Sequence, residues 1–127
     1  MPKPLIPRPT DAELSILRVL WRRGPSTVRQ VQEELGEDTG YTTVLKFLQI
    51  MTEKGSVTRD DSTHAHVYQA SLAEEQTQRQ LVTDLLDRAF SGSAKKLVMQ
   101  ALSAKKASTE ELAEIRKLLD EMERKSR

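Results

Sequence analysis

Residues 40–70 have the sequence GYTTVLKFLQIMTEKGSVTRDDSTHAHVYQA, and the spacing of the apolar residues changes within this stretch. Before Gly55 the apolar residues recur at helical spacing, and glycine is a common residue at the end of a helix. After Gly55, residues 57–59 and 64–68 are rich in β-branched and polar side chains, and the turn-forming run 60–63 separates them. The stretch therefore predicts a helix followed by a two-stranded hairpin.

Two shorter helical patterns precede this stretch. Thr10 and Glu13 have the spacing of a capping box, in which each side chain accepts a hydrogen bond from a backbone N–H group of the first turn. This first helix is predicted to end at Gly24, and a second helix to begin at an N-cap Ser26 and to end at Gly36. Three short helices followed by a hairpin are the element order of a winged helix-turn-helix.

Three further helical patterns follow the hairpin. Ser71 and Glu74 have capping-box spacing, as do Ser108 and Glu111, and residues 91–93 separate the first two of these helices. Their apolar stripes exceed what a small N-terminal core covers, and such stripes usually pack on a partner chain. We therefore expect a two-fold homodimer. The apolar residues expected at its interface are Leu81, Leu85, Leu86, Phe90, Leu97, Leu112, Ile115, Leu119 and Met122.

The predicted fold is mainly α with a small β-hairpin wing. Residues 1–9 contain four prolines and are predicted to form a flexible N-terminal tail. Residues 10–70 are assigned to a winged helix-turn-helix DNA-binding domain, and residues 71–127 to a helical dimerisation domain. A chain of 127 residues is long enough for one small domain with an attached helical part.

Composition excludes several classes of function. The absence of cysteine excludes disulfides, thiolate metal sites and cysteine nucleophiles. No apolar run approaches the roughly 20 residues of a membrane span, and the N-terminus lacks the pattern of a secretory signal, so a cytoplasmic protein is expected. No phosphate-binding glycine loop or catalytic His/carboxylate motif is present, so neither an enzyme nor a cofactor is predicted. The net charge of +1 supplies no electrostatic argument for nucleic acid.

The third helix is the candidate recognition helix. Threonine hydroxyls, the glutamine amide and the lysine ammonium can address base edges or phosphates. An ordinary amphipathic helix has the same pattern, so both interpretations stay open on this helix alone, and the hairpin behind it favours DNA. The residues expected to face outward are Tyr41, Thr42, Thr43, Lys46 and Gln49.

Arg59, His64 and His66 are the candidate residues of the wing. Residues i and i+2 of a strand point to the same face, so His64 and His66 are expected to project together. A zinc site is the alternative interpretation, but a structural site normally needs four ligands, and the chain has two histidines and no cysteine. Contacts to DNA phosphates are therefore favoured over a metal site. Further phosphate contacts are expected from Lys3, Arg8 and Arg18.

The chain resembles the penicillinase repressor family (BlaI/MecI/CopY) in a set of short motifs spread over its whole length. Their combination is more specific than any one of them. The motifs are PTDAEL at residues 9–14, VLW at 19–21, GYTTVL at 40–45, EKG at 53–55, GSAKKLV at 92–98 and EEL at 110–112.

The resemblance implies a homodimeric transcriptional repressor that binds inverted-repeat operator DNA. In the antibiotic-responsive members of the family, a membrane sensor protease triggers cleavage within the fifth helix, which separates the dimer and releases the DNA. The recognition positions that match are Tyr41, Thr42, Thr43 and Lys46. The matching cleavage region comprises Val98, Met99, Gln100, Ala101 and Leu102.

Two departures from the family pattern bear on regulation. Gln100-Ala101 stands where the family has an Asn-Phe cleavage bond, and the lack of cysteine excludes the metal sensing of the copper-responsive branch. The alternative function is a winged-helix protein-interaction module without DNA binding, which the neutral charge would suit. A small-molecule sensor is less favoured, because few aromatic residues are available to line a pocket.

Overall fold

The computed structural model describes residues 6–126 and confirms the predicted fold class. The chain forms two compact units, of which the first ends at Val82 and the second begins at Thr83. The elements within the described residues are α1 (Asp11–Arg23), α2 (Val28–Leu35), α3 (Tyr41–Lys54), β1 (Val57–Asp60), β2 (Val67–Ala70), α4 (Glu74–Ala89), α5 (Ala94–Ala104) and α6 (Thr109–Lys125).

Two of the predicted capping boxes are confirmed. The Thr10 hydroxyl accepts from the Glu13 N–H (3.2 Å), and the Glu13 carboxylate accepts from the Thr10 N–H (2.9 Å). Ser108 and Glu111 make the same reciprocal pair at the start of α6, at 3.0 and 3.2 Å. These caps depend on residues three apart in sequence, which is why a local pattern predicts them.

The predicted N-cap of α2 is wrong by one residue. Thr27 is the N-cap and forms a capping box with Gln30. Ser26 instead pairs with Tyr68 of β2 through two backbone hydrogen bonds of 2.9 and 2.8 Å, and its hydroxyl donates to the Gly24 carbonyl. Both the backbone and the hydroxyl of Ser26 are therefore committed to other partners, and the hairpin gains a bridge along β2.

The predicted capping box at Ser71 and Glu74 is also wrong. Glu74 is the first residue of α4, and the Ala73 N–H donates to the Gln76 side chain at 2.8 Å. The Ser71 N–H donates to the Ser56 carbonyl at 2.9 Å. Ser71 thus still belongs to the hairpin connection, and the helix starts after it.

The second strand of the hairpin begins and ends later in the chain than predicted, because β2 covers Val67–Ala70 and not residues 64–68. β1 and β2 are antiparallel, with Val57 opposite Ala70 and Asp60 opposite Val67. This register leaves residues 61–66 as a loop, so the predicted placement of His64 and His66 on a strand is wrong. Local side-chain bonds stabilise the loop, because Asp60 accepts from the Ser62 N–H (2.9 Å) and Thr63 donates to the Ala65 carbonyl (2.7 Å).

The core of the first unit joins the three helices to the hairpin. Each of its apolar residues is at most 5% exposed. Burial of this kind stabilises the unit by about 1.5–3 kcal/mol for each large side chain. The core residues are Ile16, Leu17, Val19 and Leu20 of α1, Val28 and Val31 of α2, Val44, Leu48 and Met51 of α3, and Val57 and Tyr68 of the hairpin.

An ion pair between a buried glutamate and a partly exposed lysine connects the start of α1 to the end of α3. The Lys54 Nζ lies 2.9 Å from the Glu13 Oε2, and Glu13 is only 3% exposed. Burial would raise the pKa of Glu13, but the hydrogen bond from the Thr10 N–H and the contact with Lys54 outweigh it and lower that pKa below its ordinary value. The capping residue of α1 is therefore also a tertiary contact.

The first compact unit extends beyond the predicted domain boundary at residue 70. Trp21 donates from its indole N–H to the Leu72 carbonyl at 2.9 Å, and Thr77 of α4 is buried. Gln80 donates to the Ile6 carbonyl at 2.7 Å, so the described end of the predicted tail contacts α4. The first part of α4 thus closes over the winged-helix core.

The second unit leaves much apolar surface uncovered in the single chain. No described residue of α5 or α6 is buried, although both helices are amphipathic. None of the helices in residues 6–126 combines the length and the apolar character that crossing a membrane requires.

Candidate nucleic-acid interface

α3 presents its predicted polar residues to solvent. Its core side is fixed by Val44, Leu48 and Met51, which are fully buried. Gly40 is its N-cap, and its first turn carries no acidic residue. The residues predicted to face outward are all exposed on this helix, namely Tyr41, Thr42, Thr43, Lys46 and Gln49.

The outward side of α3 divides into two neighbouring concave surfaces. One lies between α3, the start of α2 and the hairpin loop, and we call it the wing groove. The other lies along α3 and is lined by Thr42, Thr43, Lys46, Phe47 and Ile50. The residues that line the wing groove are Thr27, Val28, Arg29, Tyr41, Leu45, Gln49, Arg59, His64, Ala65, His66 and Tyr68.

The structure thus brings together the predicted wing residues and two of the predicted helix residues. Tyr41, Leu45 and Gln49 follow one another at i, i+4 and i+8, so they form one stripe facing the hairpin. Thr42, Thr43 and Lys46 lie on the adjacent surface. A nucleic acid laid along α3 could contact both surfaces at once, because they share the same helix.

The loop of the wing is organised around Asp61. Its Oδ1 lies 2.9 Å from the Arg59 Nε and 2.6 Å from the His66 Nδ1. The Asp61 carboxylate raises the pKa of the Arg59 guanidinium, with a further contribution from Tyr68. Asp61 therefore orients Arg59 and His66 and offsets part of the charge of Arg59. All three side chains are exposed, so water screens these contacts.

The predicted phosphate contacts are spread over different places. Arg18 is exposed on α1 and Arg8 is exposed ahead of it, and neither lines the wing groove. Lys3 lies outside the described residues. Arg22 and Arg23 of α1 both bind Glu34, at 3.0 and 3.2 Å.

Within residues 6–126, no three His, Cys, Asp or Glu side chains are placed to hold a metal ion.

Arg29 lines the wing groove, although the sequence analysis did not predict it as a site residue. It is an exposed residue in the first turn of α2, and its guanidinium carbon lies 5.7 Å from the centre of the Tyr41 ring. The sequence offered one signal for it: Arg29 is a basic residue at the start of α2, and α2 is the helix that precedes the candidate recognition helix. Its proximity to Tyr41 depends on how α2 packs against α3.

The residues predicted for dimerisation differ in their exposure in the single chain. Leu85, Leu112, Leu119 and Met122 are 41–59% exposed. The others are partly buried, namely Leu81, Leu86, Phe90, Leu97 and Ile115. The predicted cleavage region lies within α5, and all of its residues are exposed, namely Val98, Met99, Gln100, Ala101 and Leu102.

The fold and the placement of polar residues on α3 define a winged helix-turn-helix protein. The chain belongs to the penicillinase repressor family, whose model matches residues 9–121. This is a family of repressors and transcription regulators, and the family predicted from the sequence motifs is confirmed.

Two similar proteins match this chain over most of their length, and both are named as regulators of transcription or of penicillinase. The penicillinase repressor of Bacillus licheniformis is 25% identical over 118 residues, which cover 91% of this chain and 92% of that protein. The transcriptional regulator BlaI of Mycobacterium tuberculosis H37Rv is 29% identical over 116 residues, covering 89% of this chain and 83% of that regulator.

Proposed function

We propose that this protein is a transcriptional repressor that binds an inverted-repeat operator as a homodimer. In this proposal α3 of each subunit enters the major groove, which is wide enough to admit a helix. The observation that carries the proposal is the polar side of α3, which is held outward by a fully buried opposite side and adjoined by the wing. Family membership supports the same function.

The chemistry of α3 suits direct contact with bases. Thr42 and Thr43 offer hydroxyls and methyl groups, and the methyl groups can pack on the C5-methyl of thymine. Gln49 can pair with adenine through both atoms of its amide, and Lys46 can address guanine or a phosphate. Because the apolar side of α3 is packed in the core, the backbone that carries these groups is ordered before DNA binds, and only side-chain entropy remains to be lost.

The apolar surface of the second unit supports the proposed homodimer. Leu112, Ile115, Leu119 and Met122 recur along one side of α6, and three of them are more than 40% exposed. A second copy of the chain would bury them. Two linked subunits then bind two half-sites, about 34 Å apart if they lie one helical turn apart, and each site raises the effective concentration at the other.

Release by proteolysis is the finer part of the proposal. Cleavage between Val98 and Leu102 would detach α6 from the rest of the chain and so weaken the dimer. These residues are exposed but helical, and a protease requires extended backbone. α5 would therefore have to unwind locally before a protease could act on it. The proposed partner is a membrane sensor protease pathway, and the chain itself would not insert into the membrane.

DNA binding can be tested by DNase footprinting over the promoter of the protein's own gene. A salt titration of the affinity accompanies the footprint. We expect two symmetric protected half-sites, and an affinity that falls steeply with salt because bound phosphates release counterions. A scrambled duplex is the control. Equal affinity for both duplexes would contradict sequence-specific binding.

The alternative function is a protein-interaction module with a winged-helix fold and no DNA role. The net charge of +1 is the observation that favours it. A protein that shows no DNA protection at low salt, including after selection from random duplexes, would favour this alternative over the repressor.

A further inference from the structure

Arg29 and Tyr41 form a cation–π pair that joins the start of α2 to the start of α3. The Arg29 guanidinium carbon lies 5.7 Å from the centre of the Tyr41 ring, which is within the distance of a cation–π contact. Arg29 is in the first turn of α2, and Tyr41 is the first residue of α3. Both line the wing groove, so the pair lies beside the proposed DNA-contacting side of α3.

Within the described residues, Arg29 makes no ion pair with an acidic side chain. Among residues 6–126, the ion pairs involve other cations, and Arg59 in the same groove already binds Asp61. The first turns of α2 and α3 carry no acidic residue, and α2 is capped by the neutral Thr27. An arginine without an ion pair near two helix N-termini contributes to a positive potential that favours an anion.

We propose that Arg29 contacts a phosphate of the operator backbone and that Tyr41 is its positioning residue. The inference rests on the proposed function. In helix-turn-helix proteins the helix before the recognition helix crosses the DNA backbone, which places the start of α2 beside phosphates. The planar guanidinium can bind a phosphate through two N–H groups, and the cation–π contact with Tyr41 favours one orientation of Arg29 before DNA arrives.

The test is a salt titration of operator affinity for Arg29→Gln. The slope of log K against log salt is negative, and each lost phosphate contact makes it shallower by about 0.9, so the slope for a dimer should become shallower by about 1.8. Affinity should fall by a similar factor on the operator and on a scrambled duplex, because phosphates carry no sequence. Arg88→Gln is the matched control, since Arg88 is an exposed arginine that is paired with Asp84 and lines neither surface of α3.

Substitutions of Tyr41 separate positioning from direct contact. Tyr41→Phe keeps the ring and should keep the wild-type slope and affinity. Tyr41→Leu should weaken binding of both duplexes, and in the Arg29→Gln background it should have no further effect. Thermal melting of each variant verifies folding, which is expected because both side chains are exposed.

Four results would overturn the inference. An unchanged slope for Arg29→Gln excludes a phosphate contact, and a loss confined to the operator indicates a base contact instead. Equal defects in Tyr41→Phe and Tyr41→Leu assign the role to the hydroxyl. Additive losses in the double variant show that the two side chains act separately. A wild-type protein that binds no duplex refutes the proposed function itself, which distinguishes the two failures.

Discussion

Replacing Lys54 by methionine should destabilise the winged-helix unit by about 2 kcal/mol. The change keeps most of the side-chain volume but removes the ammonium that lies 2.9 Å from the Glu13 Oε2. Glu13 is 3% exposed, so its carboxylate would remain in the interior with one partner fewer. Breaking a fully buried pair in this way costs about 3–5 kcal/mol.

The expected loss of stability is smaller than the cost of breaking a fully buried ion pair, for two reasons. The Lys54 side chain is 34% exposed, so water reaches its side of the pair and can replace part of the contact. The other carboxylate oxygen of Glu13 still accepts from the Thr10 N–H at 2.9 Å. A lost hydrogen bond to a charged group in such a place costs about 1.5–3 kcal/mol, which gives the figure of about 2 kcal/mol.

Urea unfolding followed by the fluorescence of Trp21 measures the effect at constant protein concentration. Trp21 is the single tryptophan, and it donates a hydrogen bond to Leu72 within the first unit. Lys46→Met is the matched control, because Lys46 is exposed on the same helix and has no ion pair among the described residues. The control should change the free energy of unfolding by less than about 0.5 kcal/mol.

The pH dependence supplies an independent check. The folded-state pKa of Glu13 is lowered, so its contribution to stability is present above the ordinary value of 4.5 and is lost as the pH falls through the folded value. The difference between the wild type and Lys54→Met should therefore be largest near neutral pH and shrink in acid. A difference that is absent at pH 7, or unchanged in acid, would refute the reasoning.

Three further substitutions test other parts of the molecule. Thr43→Ala should reduce discrimination between operator and scrambled duplex by about 1–3 kcal/mol in a competition binding assay, whereas Thr58→Ala, which lines neither surface of α3, should leave it unchanged. Leu85→Glu should give monomers with weak operator binding in sedimentation and footprinting, and a persistent dimer would place Leu85 outside the interface. Thr27→Ala should lower the free energy of unfolding by about 1 kcal/mol, and an unaffected stability would mean that the α2 cap contributes nothing.

Most of the fold could be predicted because its signals are local. The core side of α3 was evident from its helical spacing, and the caps at Thr10 and Ser108 from residues three apart. The errors arose where a local pattern competed with a distant partner. Ser26 has the chemistry of an N-cap, but its backbone pairs with Tyr68 of β2.

The candidate site was predictable in part for the same reason. The outward residues of α3 depend only on which side of one helix is apolar. The positions of His64 and His66 depend on the register of the hairpin, which pairs Asp60 with Val67 and leaves both histidines in the loop. Arg29 could not be assigned, because its contact with Tyr41 depends on the packing of α2 against α3.

The sequence alone determined the order of the elements, the polar side of α3 and the family, because each rests on residue types at short fixed spacings. Tertiary structure decided which distant residues meet. It paired Glu13 with Lys54, joined Ser26 to β2, and placed Arg29 and the wing loop beside α3. These contacts join residues far apart in sequence, and the packing of buried apolar side chains selects them, so no local pattern encodes them.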